Sequence, residues 1–285
     1  MPSEKSFISK RWSELKIVAG SASGKAGLAI TGAFFILAIF APFIAPYRPT
    51  VESGASFLAP SWKHILGTDD VGEDLLSQLI WSTRGSLLVG LSAGAIATAI
   101  GVAVGLFSGY YSGKLSEGLM RFTDIALVLP LLPLLIVVAS VFPASVWTVI
   151  GTIGLLSWPA IARVVRSQTL TLKMRPFVDA IRLGGMNDLE MMFRVLLPNM
   201  LPLVILYAVF ATVAAVVIEA GLDFIGLGSI SNLSWGIMLY FALSRDALLR
   251  GEWWWFLPPG IMIALMGTGL ILLGHATERV TRARR

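Results

Sequence analysis

Residues 85–110 decide the fold class, and they read GSLLVGLSAGAIATAIGVAVGLFSGY. No charged side chain occurs in this stretch. A helix needs roughly 20 predominantly apolar residues to cross the hydrocarbon core of a bilayer, and a lone strand cannot satisfy its backbone hydrogen bonds there. The stretch therefore predicts a membrane-spanning helix.

The composition of the whole chain agrees with this prediction. Of 285 residues, 56% are hydrophobic and only 14% are charged, whereas soluble domains carry roughly 25% charged residues. The mean hydropathy is +0.79. These values exclude a soluble globular domain, a disordered chain, a coiled coil and a collagen-like fibre, and the absence of cysteine excludes a disulfide scaffold. The class that remains is an all-α polytopic membrane protein.

Six stretches are predicted as spans, and the placement of Lys and Arg orients them. The spans run from about Ala26 to Pro46, Gly85 to Tyr110, Ile125 to Phe142, Ser145 to Ala162, Met200 to Ile218 and Trp253 to Gly274. Cytoplasmic loops carry an excess of positive charge. On one side of the predicted spans lie 17 of the 22 basic residues: Lys5, Lys10, Arg11, Lys16, Lys25, Lys114, Arg121, Arg163, Arg166, Lys173, Arg175, Arg182, Arg194, Arg279, Arg282, Arg284 and Arg285. We therefore predict six transmembrane helices with both termini in the cytoplasm, and we attribute the net charge of +5 to topology rather than to a nucleic-acid partner.

Two regions are predicted. Residues 1–80 contain an N-terminal cytoplasmic segment, an anchor helix and a first outer loop, and residues 81–285 form a five-helix core with a cytoplasmic loop at about 163–199. The first span has the basic flank of a signal peptide, but it is longer than the usual apolar region of roughly 7–15 residues. We therefore expect it to remain as an uncleaved anchor.

Glycines recur at every fourth position within the second span, at Gly90 and Gly94 and at Gly101, Gly105 and Gly109. Residues with this spacing share one helix face, where small side chains let another helix approach closely. Two interpretations remain open, namely tight packing inside the subunit and a subunit interface or pore lining.

Pro130 and Pro133 should distort the third span, because each removes a backbone donor and adds a ring clash. Broken helices at membrane depth are tolerated where they face protein or a water-filled cavity. The two prolines therefore mark either a translocation path or internal packing. Asp124 and Glu219 lie at the predicted ends of the third and fifth spans, where we expect capping or solvated charges rather than buried ones.

The sequence contains no catalytic or cofactor motif. His64 and His275 fall on opposite sides of the predicted topology, and neither has a metal-ligand partner at helical spacing. The stretch 20–25, GSASGK, has three residues between its glycines where a phosphate loop has four, and Ala26 follows the lysine. The aromatic run at 253–256 is typical of an interfacial belt that anchors a helix, and a substrate platform is the alternative.

The most informative stretch is the basic loop, residues 163–199. Its centre reads PFVDAIRLGGMNDLEMMFRVLLPN at 176–199. Pro176 suits the first turn of a short helix, and Gly184 with Gly185 suits the turn that ends it. The pattern predicts a short helix, a glycine break and a second helix.

The second helix of the basic loop begins at a cap, Asn187 or Asp188. Its spacing places Leu189, Met192 and Phe193 on one face and Glu190 and Arg194 toward another. Such an amphipathic element at the membrane surface is either a lipid-surface helix or a docking element for a soluble partner. Met191 and Met192 are either adaptable docking surface or buried filler.

The basic loop resembles the cytoplasmic EAA loop of binding-protein-dependent ATP-binding-cassette (ABC) importers, which has Glu-Ala-Ala, a later Gly and a terminal Leu-Pro. Asp179-Ala180-Ile181 corresponds to the Glu-Ala-Ala triplet, Gly185 to the later glycine and Leu197-Pro198 to the terminal Leu-Pro. Asp replaces Glu, which keeps the charge with one methylene less reach, and Ile replaces the second Ala. The resemblance implies that the helix pair 177–193 couples to an ATPase through Phe177, Asp179, Ala180, Gly185, Asp188, Met192, Phe193, Leu197 and Pro198.

Motifs outside the loop are similar to the C-type subunits of dipeptide and oligopeptide permeases. They are Leu66–Leu75, Ser86–Gly90, Gly109-Tyr-Tyr, Met120–Asp124, Ala162–Arg166, Glu219–Gly228 and Ser234-Trp235-Gly236. Those subunits usually carry Arg where Glu73 stands here. The likeness extends over nearly the whole chain.

This resemblance implies a type I ABC importer permease fold and a permease subunit in the cell (inner) membrane. It implies a homologous permease subunit as heterodimer partner, two cytoplasmic ATP-binding subunits that hold ATP and Mg, and an extracellular solute-binding protein. In that scheme ATP binding closes the ATPases and switches the spans between inward- and outward-facing states, while this chain is no enzyme and holds no cofactor. Peptides and oligosaccharides both remain open as substrates.

A self-sufficient channel or ion-coupled carrier is the alternative function. A carrier driven by protons or sodium would need an ionisable residue near the middle of a span. No predicted span carries a clear acidic residue at that depth, which favours the importer.

Overall fold

The computed structural model describes residues 20–282, with side chains described as far as Ala276. Several residues used for the predicted orientation therefore lie outside the described part: Lys5, Lys10, Arg11, Lys16, Arg284 and Arg285, together with the side chains of Arg279 and Arg282. The cytoplasmic placement of both termini stays a prediction.

The described residues are almost entirely helical. In chain order the helices are α1 (Ala22–Ile44), α2 (Leu75–Tyr110), α3 (Lys114–Val128), α4 (Leu131–Val141), α5 (Val146–Leu156), α6 (Pro159–Lys173), α7 (Pro176–Leu183), α8 (Asp188–Phe224), α9 (Trp235–Ser244) and α10 (Trp253–Arg282). Residues 45–74, the α1–α2 connection, form a loop with isolated antiparallel bridges between Glu52 and Glu73 and between Thr68 and Asp74.

Five helical stretches of the described chain are long and apolar enough to cross a membrane, with α5 and α6 counted together as Val146–Lys173. The pair α3 and α4 makes a sixth if it is one span, but it bends by 88°. The predicted second span is longer than expected, since α2 begins at Leu75 and crosses the predicted region boundary at residue 80. The predicted fourth span likewise continues to Lys173.

The bend between α3 and α4 falls at Pro130, as the sequence predicts. Leu129 is extended, with φ −66° and ψ 131°, because the residue before a proline is disfavoured in the α region. Pro130 then caps α4, and Pro133 lies in the first turn of α4, where the N–H it lacks would have no helical partner anyway. Pro130 therefore separates α3 from α4, and Pro133 is accommodated at the start of α4.

The second helix of the basic loop and the fifth span are one continuous helix, α8, of 37 residues. The predicted second helix is therefore present, but it continues into the fifth span. A π-helical turn at Met191–Leu196 joins the two parts. It lies directly before Pro198, which has no N–H to donate and whose ring disturbs the regular α-helical hydrogen bonds.

Helix α2 is the centre of the fold. Its 36 residues give a length of about 54 Å, enough to connect the α1–α2 connection at one end with the basic loop at the other. A Cβ on Gly90 or Gly94 would meet Val216 or Thr212 of α8 at 2.4 and 2.7 Å, and Gly101, Gly105 and Gly109 lie equally close to α6. The glycine spacing therefore reports tight packing within the subunit.

Candidate functional site

The basic loop is anchored to the end of α2 through α6. A Cβ on Gly101 would lie 2.6 Å from Ile161, and one on Gly105 would lie 2.6 Å from the carbonyl oxygen of Ala162. One on Gly109 would lie 2.6 Å from Thr169. The two backbones can approach this closely only because glycine has no side chain. The root of the basic loop is therefore fixed against α2.

Helix α7 projects from this root and ends as the sequence predicts. Pro176 is in its first turn, and Gly184 is its C-cap. Gly185 has φ +84°, a left-handed conformation that favours glycine. The side chain of Asn187, rather than that of Asp188, then caps α8 by accepting a 2.8 Å hydrogen bond from the N–H of Glu190.

One side of the basic loop is an exposed apolar surface. Of its large hydrophobic side chains, Phe177 is 41% exposed, Leu183 89%, Leu189 55% and Phe193 50%. Val178 instead is fully buried in a cluster with Met191 and Leu196. Val178 is the one buried residue of the short helix, Ile181 is half-buried against the same cluster, and the other side chains are exposed.

The nine residues predicted to couple to an ATPase divide by exposure. The exposed ones are Phe177, Asp179, Ala180, Gly185, Asp188 and Phe193, whereas Leu197 and Pro198 are half-buried and Met192 is fully buried. The prediction that Met192 shares a face with Leu189 and Phe193 is therefore wrong. Met191 is equally buried, so the two methionines fill the cluster beneath the loop. Contact of these residues with an ATPase stays a prediction.

Tyr110 also belongs to this site. In the sequence it stood out only as part of the motif Gly109-Tyr-Tyr. It is the last residue of α2, 4% exposed, and its hydroxyl donates a 2.6 Å hydrogen bond to Asp188 Oδ1. Lys173 donates to its carbonyl oxygen, and the guanidinium of Arg182 lies 5.9 Å from its ring centre. The ends of α6 and α7 and the start of α8 therefore meet at one side chain.

The bend at Pro130 opens an apolar cavity of about 150 Å³ beside the bundle. Its lining includes Phe122, Leu129, Leu134 and Trp158. Both Pro130 and Pro133 are exposed. Whether they face a translocation path stays a prediction.

Asp124 does not cap α3, but it is a solvated charge, which was the other expectation. It lies inside α3 and accepts a 2.6 Å hydrogen bond from Arg163 of α6, and both side chains are 58% exposed. Surface ion pairs of this kind are worth about 0–1 kcal/mol. The pair therefore orients α3 against the root of the basic loop more than it stabilises the fold.

Glu219 corrects a second expectation, since it does not close the fifth span. Helix α8 continues to Phe224, and Glu219 is only 2% exposed. Ser86 of α2 donates to its carboxylate over 3.2 Å, and Ser234 donates to the carboxylate of the neighbouring Asp223. Ser234 also caps α9, so these polar groups join α2, α8 and α9 at the end of the bundle opposite the basic loop.

The α1–α2 connection carries a second group of carboxylates at that same end. One amide nitrogen of Gln78 donates to both Asp69 (2.6 Å) and Glu73 (2.8 Å). Burial raises the pKa of Asp69, and burial together with the adjacent Asp69 charge raises the pKa of Glu73. Asp70 pairs with Arg245 at 2.9 Å. The predicted acidic outer loop is therefore partly buried.

The aromatic run at the start of α10 is not a uniform belt. Trp253 is 53% exposed, whereas Trp255 is 1% exposed and packs 6.2 Å from the ring of Phe57. Trp255 is thus a core residue that holds the α1–α2 connection onto α10. Within the described residues no group of three His, Cys, Asp or Glu is arranged to hold a metal ion.

Comparison with known proteins agrees with this architecture. Residues 101–282 match the family model described as binding-protein-dependent transport system inner membrane component. The chain is 38% identical over 256 residues to the dipeptide transport system permease protein of Escherichia coli (strain K12), covering 87% of this chain and 84% of that protein. It is 36% identical over 239 residues to a putative peptide permease protein of Brucella suis biovar 1, covering 83% and 79%.

A solved structure shares the fold. A chain of the MetNI methionine ABC transporter, in an inward-facing conformation, superposes with a TM-score of 0.60 at 18% sequence identity, covering 74% of this chain and 98% of that chain. At this identity the likeness concerns the helical arrangement alone.

Proposed function

Because the chain belongs to the family of binding-protein-dependent transport system inner membrane components and is a multi-pass permease subunit of an ABC importer, we propose that its basic loop is the element through which ATPase subunits drive transport. The complete complex contains a homologous permease subunit, two cytoplasmic ATP-binding subunits with ATP and Mg, and an extracellular solute-binding protein. It lies in the inner cell membrane, with six spans and both termini of this chain in the cytoplasm. This chain itself catalyses no reaction.

The single observation that carries the proposal is the exposed apolar side of the basic loop. Helix α7 is eight residues long and its only buried residue is Val178, yet it is held at a fixed place by the close packing of α2 on α6. Exposed apolar residues on a fixed support are typical of a protein–protein docking surface. Six of the basic residues lie in the same loop, which keeps it at the cytoplasmic surface.

The broken span supports an alternating-access mechanism. The α3–α4 pair bends by 88° and its prolines are exposed. Broken helices at membrane depth need protein or a water-filled cavity beside them. We assign the concave side of the bend to the solute path between the two permease subunits. ATP-driven movement of the basic loop shifts α6 and α2 together and changes which end of that path is open.

We propose peptides as the substrates. The two relatives compared above are named as a dipeptide permease and a putative peptide permease. Oligosaccharides are the competing substrate class. Uptake of labelled di- and tripeptides against labelled oligosaccharides, in liposomes that contain the intact complex purified from its own membrane, distinguishes the two.

The test of the coupling assignment replaces Gly185 by Leu and Asp179 by Lys, separately, in the intact complex. Gly185→Leu places a bulky side chain at φ +84° in the turn between α7 and α8. Uptake should fall at least tenfold in both variants, while membrane insertion of the chain is unchanged.

The matched control for Gly185→Leu is Gly113→Leu. Gly113 has φ +85°, and like Gly185 it has no heavy atom within 4 Å of an added Cβ. Both substitutions therefore place a leucine at a positive φ in open space, but Gly113 lies outside the α7–α8 turn. Equal uptake in the Gly185→Leu and Gly113→Leu variants, or full uptake in Asp179→Lys, would refute the coupling assignment.

A further inference from the structure

The side-chain hydrogen bonds that join α2 to the basic loop converge on one residue. Among the described residues, each of these bonds has Tyr110 at one end: its hydroxyl donates to Asp188 Oδ1 at 2.6 Å, and its carbonyl oxygen accepts from Lys173 Nζ at 2.5 Å. The Tyr110 ring also has the Lys173 ammonium 5.4 Å away and the Arg182 guanidinium 5.9 Å away. These positions belong to α6, α7 and the first turn of α8.

Apart from the Arg182 contact with the Tyr110 ring, the other contacts of α7 and the start of α8 with the end of α2 are apolar and have no fixed direction. Val178 and Leu196 pack in one cluster with Tyr110, and Phe107 meets Phe193 edge to face at 6.4 Å. Apolar contacts of this kind tolerate sliding, because burial is non-directional. A hydroxyl–carboxylate hydrogen bond instead fixes both distance and angle. The hydrogen bond to Asp188 therefore sets where the start of α8 lies relative to the end of α2, whereas the glycine packing fixes α6.

We propose that Tyr110 is the positioning residue that transmits movement of the basic loop to α2, through its hydroxyl bond to Asp188. The proposal rests on the coupling function proposed above. Asp188 is the first residue of α8, so movement of the loop acts directly on Tyr110 through this hydrogen bond. From Tyr110 it reaches α2, which runs the whole length of the bundle.

The expected size of the effect follows from the type of bond. A hydrogen bond to a charged acceptor shifts the equilibrium between bonded and unbonded arrangements by about 10-fold to 150-fold. Tyr110→Phe removes the hydroxyl and keeps the ring with its cation contacts. Asp188→Ala removes the acceptor from the other side. Both variants should therefore release the loop to a similar extent.

The experiment measures peptide imported per ATP hydrolysed, in liposomes that contain the complete complex and the loaded solute-binding protein. We expect Tyr110→Phe and Asp188→Ala each to lower this ratio about tenfold. The double variant should be no worse than either single one, because both remove the same bond. Tyr111→Phe is the matched control and should keep the wild-type ratio.

Two results would overturn the proposal. One is a wild-type ratio in Tyr110→Phe, and the other is a double variant whose loss is the product of the two single losses. A residue that only stabilised the fold would lower the melting temperature and the yield of complex, but the peptide-to-ATP ratio of the surviving complexes would stay at the wild-type value. That pattern also contradicts a transmitting role.

If the wild-type complex imports nothing, that result counts against the proposed function rather than against the role of Tyr110. A second measurement then still tests the role of Tyr110. The chain has no cysteine, so spin labels can be attached at Ser112→Cys beyond α2 and Leu183→Cys at the end of α7. Both positions are exposed. We expect one narrow distance distribution in the wild-type background and a broadened one with Tyr110→Phe. Identical distributions would show that the hydroxyl does not hold the loop.

Discussion

Replacing Gly105 by Ala tests the packing of α2 on α6, on which the position of the basic loop depends. The added Cβ would lie 2.6 Å from the carbonyl oxygen of Ala162 and 2.7 Å from the Cβ of Val165. Ordinary contact needs about 3.4 Å, so the two helices must separate by about 0.8 Å. The obstacle is backbone, which cannot rotate away as a long side chain can.

The expected cost is about 1–3 kcal/mol, the usual range for overpacking a well-packed interior. For a chain of this size that corresponds to a melting temperature lower by roughly 2–12 °C. Circular dichroism of the purified chain in mild detergent, recorded during heating, measures this change in melting temperature.

Gly151→Ala is the matched control. Gly151 is also an internal helical glycine, in α5, but no heavy atom lies within 4 Å of an added Cβ. Both substitutions gain the same helix propensity, about 1 kcal/mol at most, so the difference between them isolates the clash. Equal melting temperatures for the two variants would refute the packing of α2 on α6 described above.

Two further predictions concern the end of the bundle opposite the basic loop. Ser234→Ala removes a helix cap and the donor to buried Asp223, so we expect a loss of about 2–4 kcal/mol. Ser145→Ala removes a helix cap and a hydroxyl contact with Thr148, but no bond to a carboxylate, so it should cost about 1 kcal/mol in the same unfolding assay. Equal losses would contradict the role of the carboxylate. Burial raises the pKa of Asp69 and Glu73 above their ordinary values of 3.8 and 4.5. The folded state therefore favours the protonated form of each carboxyl group. The free energy of unfolding falls as the pH rises through the raised pKa, because the two groups then ionise. Glu73→Gln should therefore raise the melting temperature at pH 7 and leave it unchanged at pH 4, and a difference of the same size at both pH values would disprove this reasoning.

Local features of the fold were predictable from the sequence. Hydropathy located the spans, because a span must be apolar along its whole length. Pro130 located the break, since the residue before a proline is disfavoured in the α region. Gly184 and Gly185 located the end of α7 for the same local reason. Each of these features depends on residues that are close together in the chain.

Features that depend on distant partners were missed. Glu219 was expected to close a span, because its local sequence does not show its hydrogen-bond partner. That partner, Ser86, is 133 residues away. Met192 was placed on one face with Leu189 and Phe193, because the regular helical spacing was assumed. The π-helical turn at Met191–Leu196 closes on the fifth residue rather than the fourth and so changes which residues share a face.

The proposed coupling site shows both situations. The loop itself was recognised from its motif, with Asp179, Gly185 and Pro198 in the expected order. Tyr110 was not assigned to the site, because its bond to Asp188 joins residues 78 positions apart. Its only sequence signal was its place in a motif at the end of the second span.

Cross-linking from the basic loop tests the central claim most directly. The chain lacks cysteine, so Leu183→Cys in the loop and Leu249→Cys at the opposite end give two single reactive sites with matched exposure, 89% and 85% in the wild-type side chains. Each variant, in the complex in its own membrane, is labelled with a maleimide that carries a photoreactive group and then irradiated. We predict a cross-link to an ATP-binding subunit from Leu183→Cys and none from Leu249→Cys. A cross-link to that subunit from Leu249→Cys, with none from Leu183→Cys, would contradict the assignment of the basic loop as the coupling element.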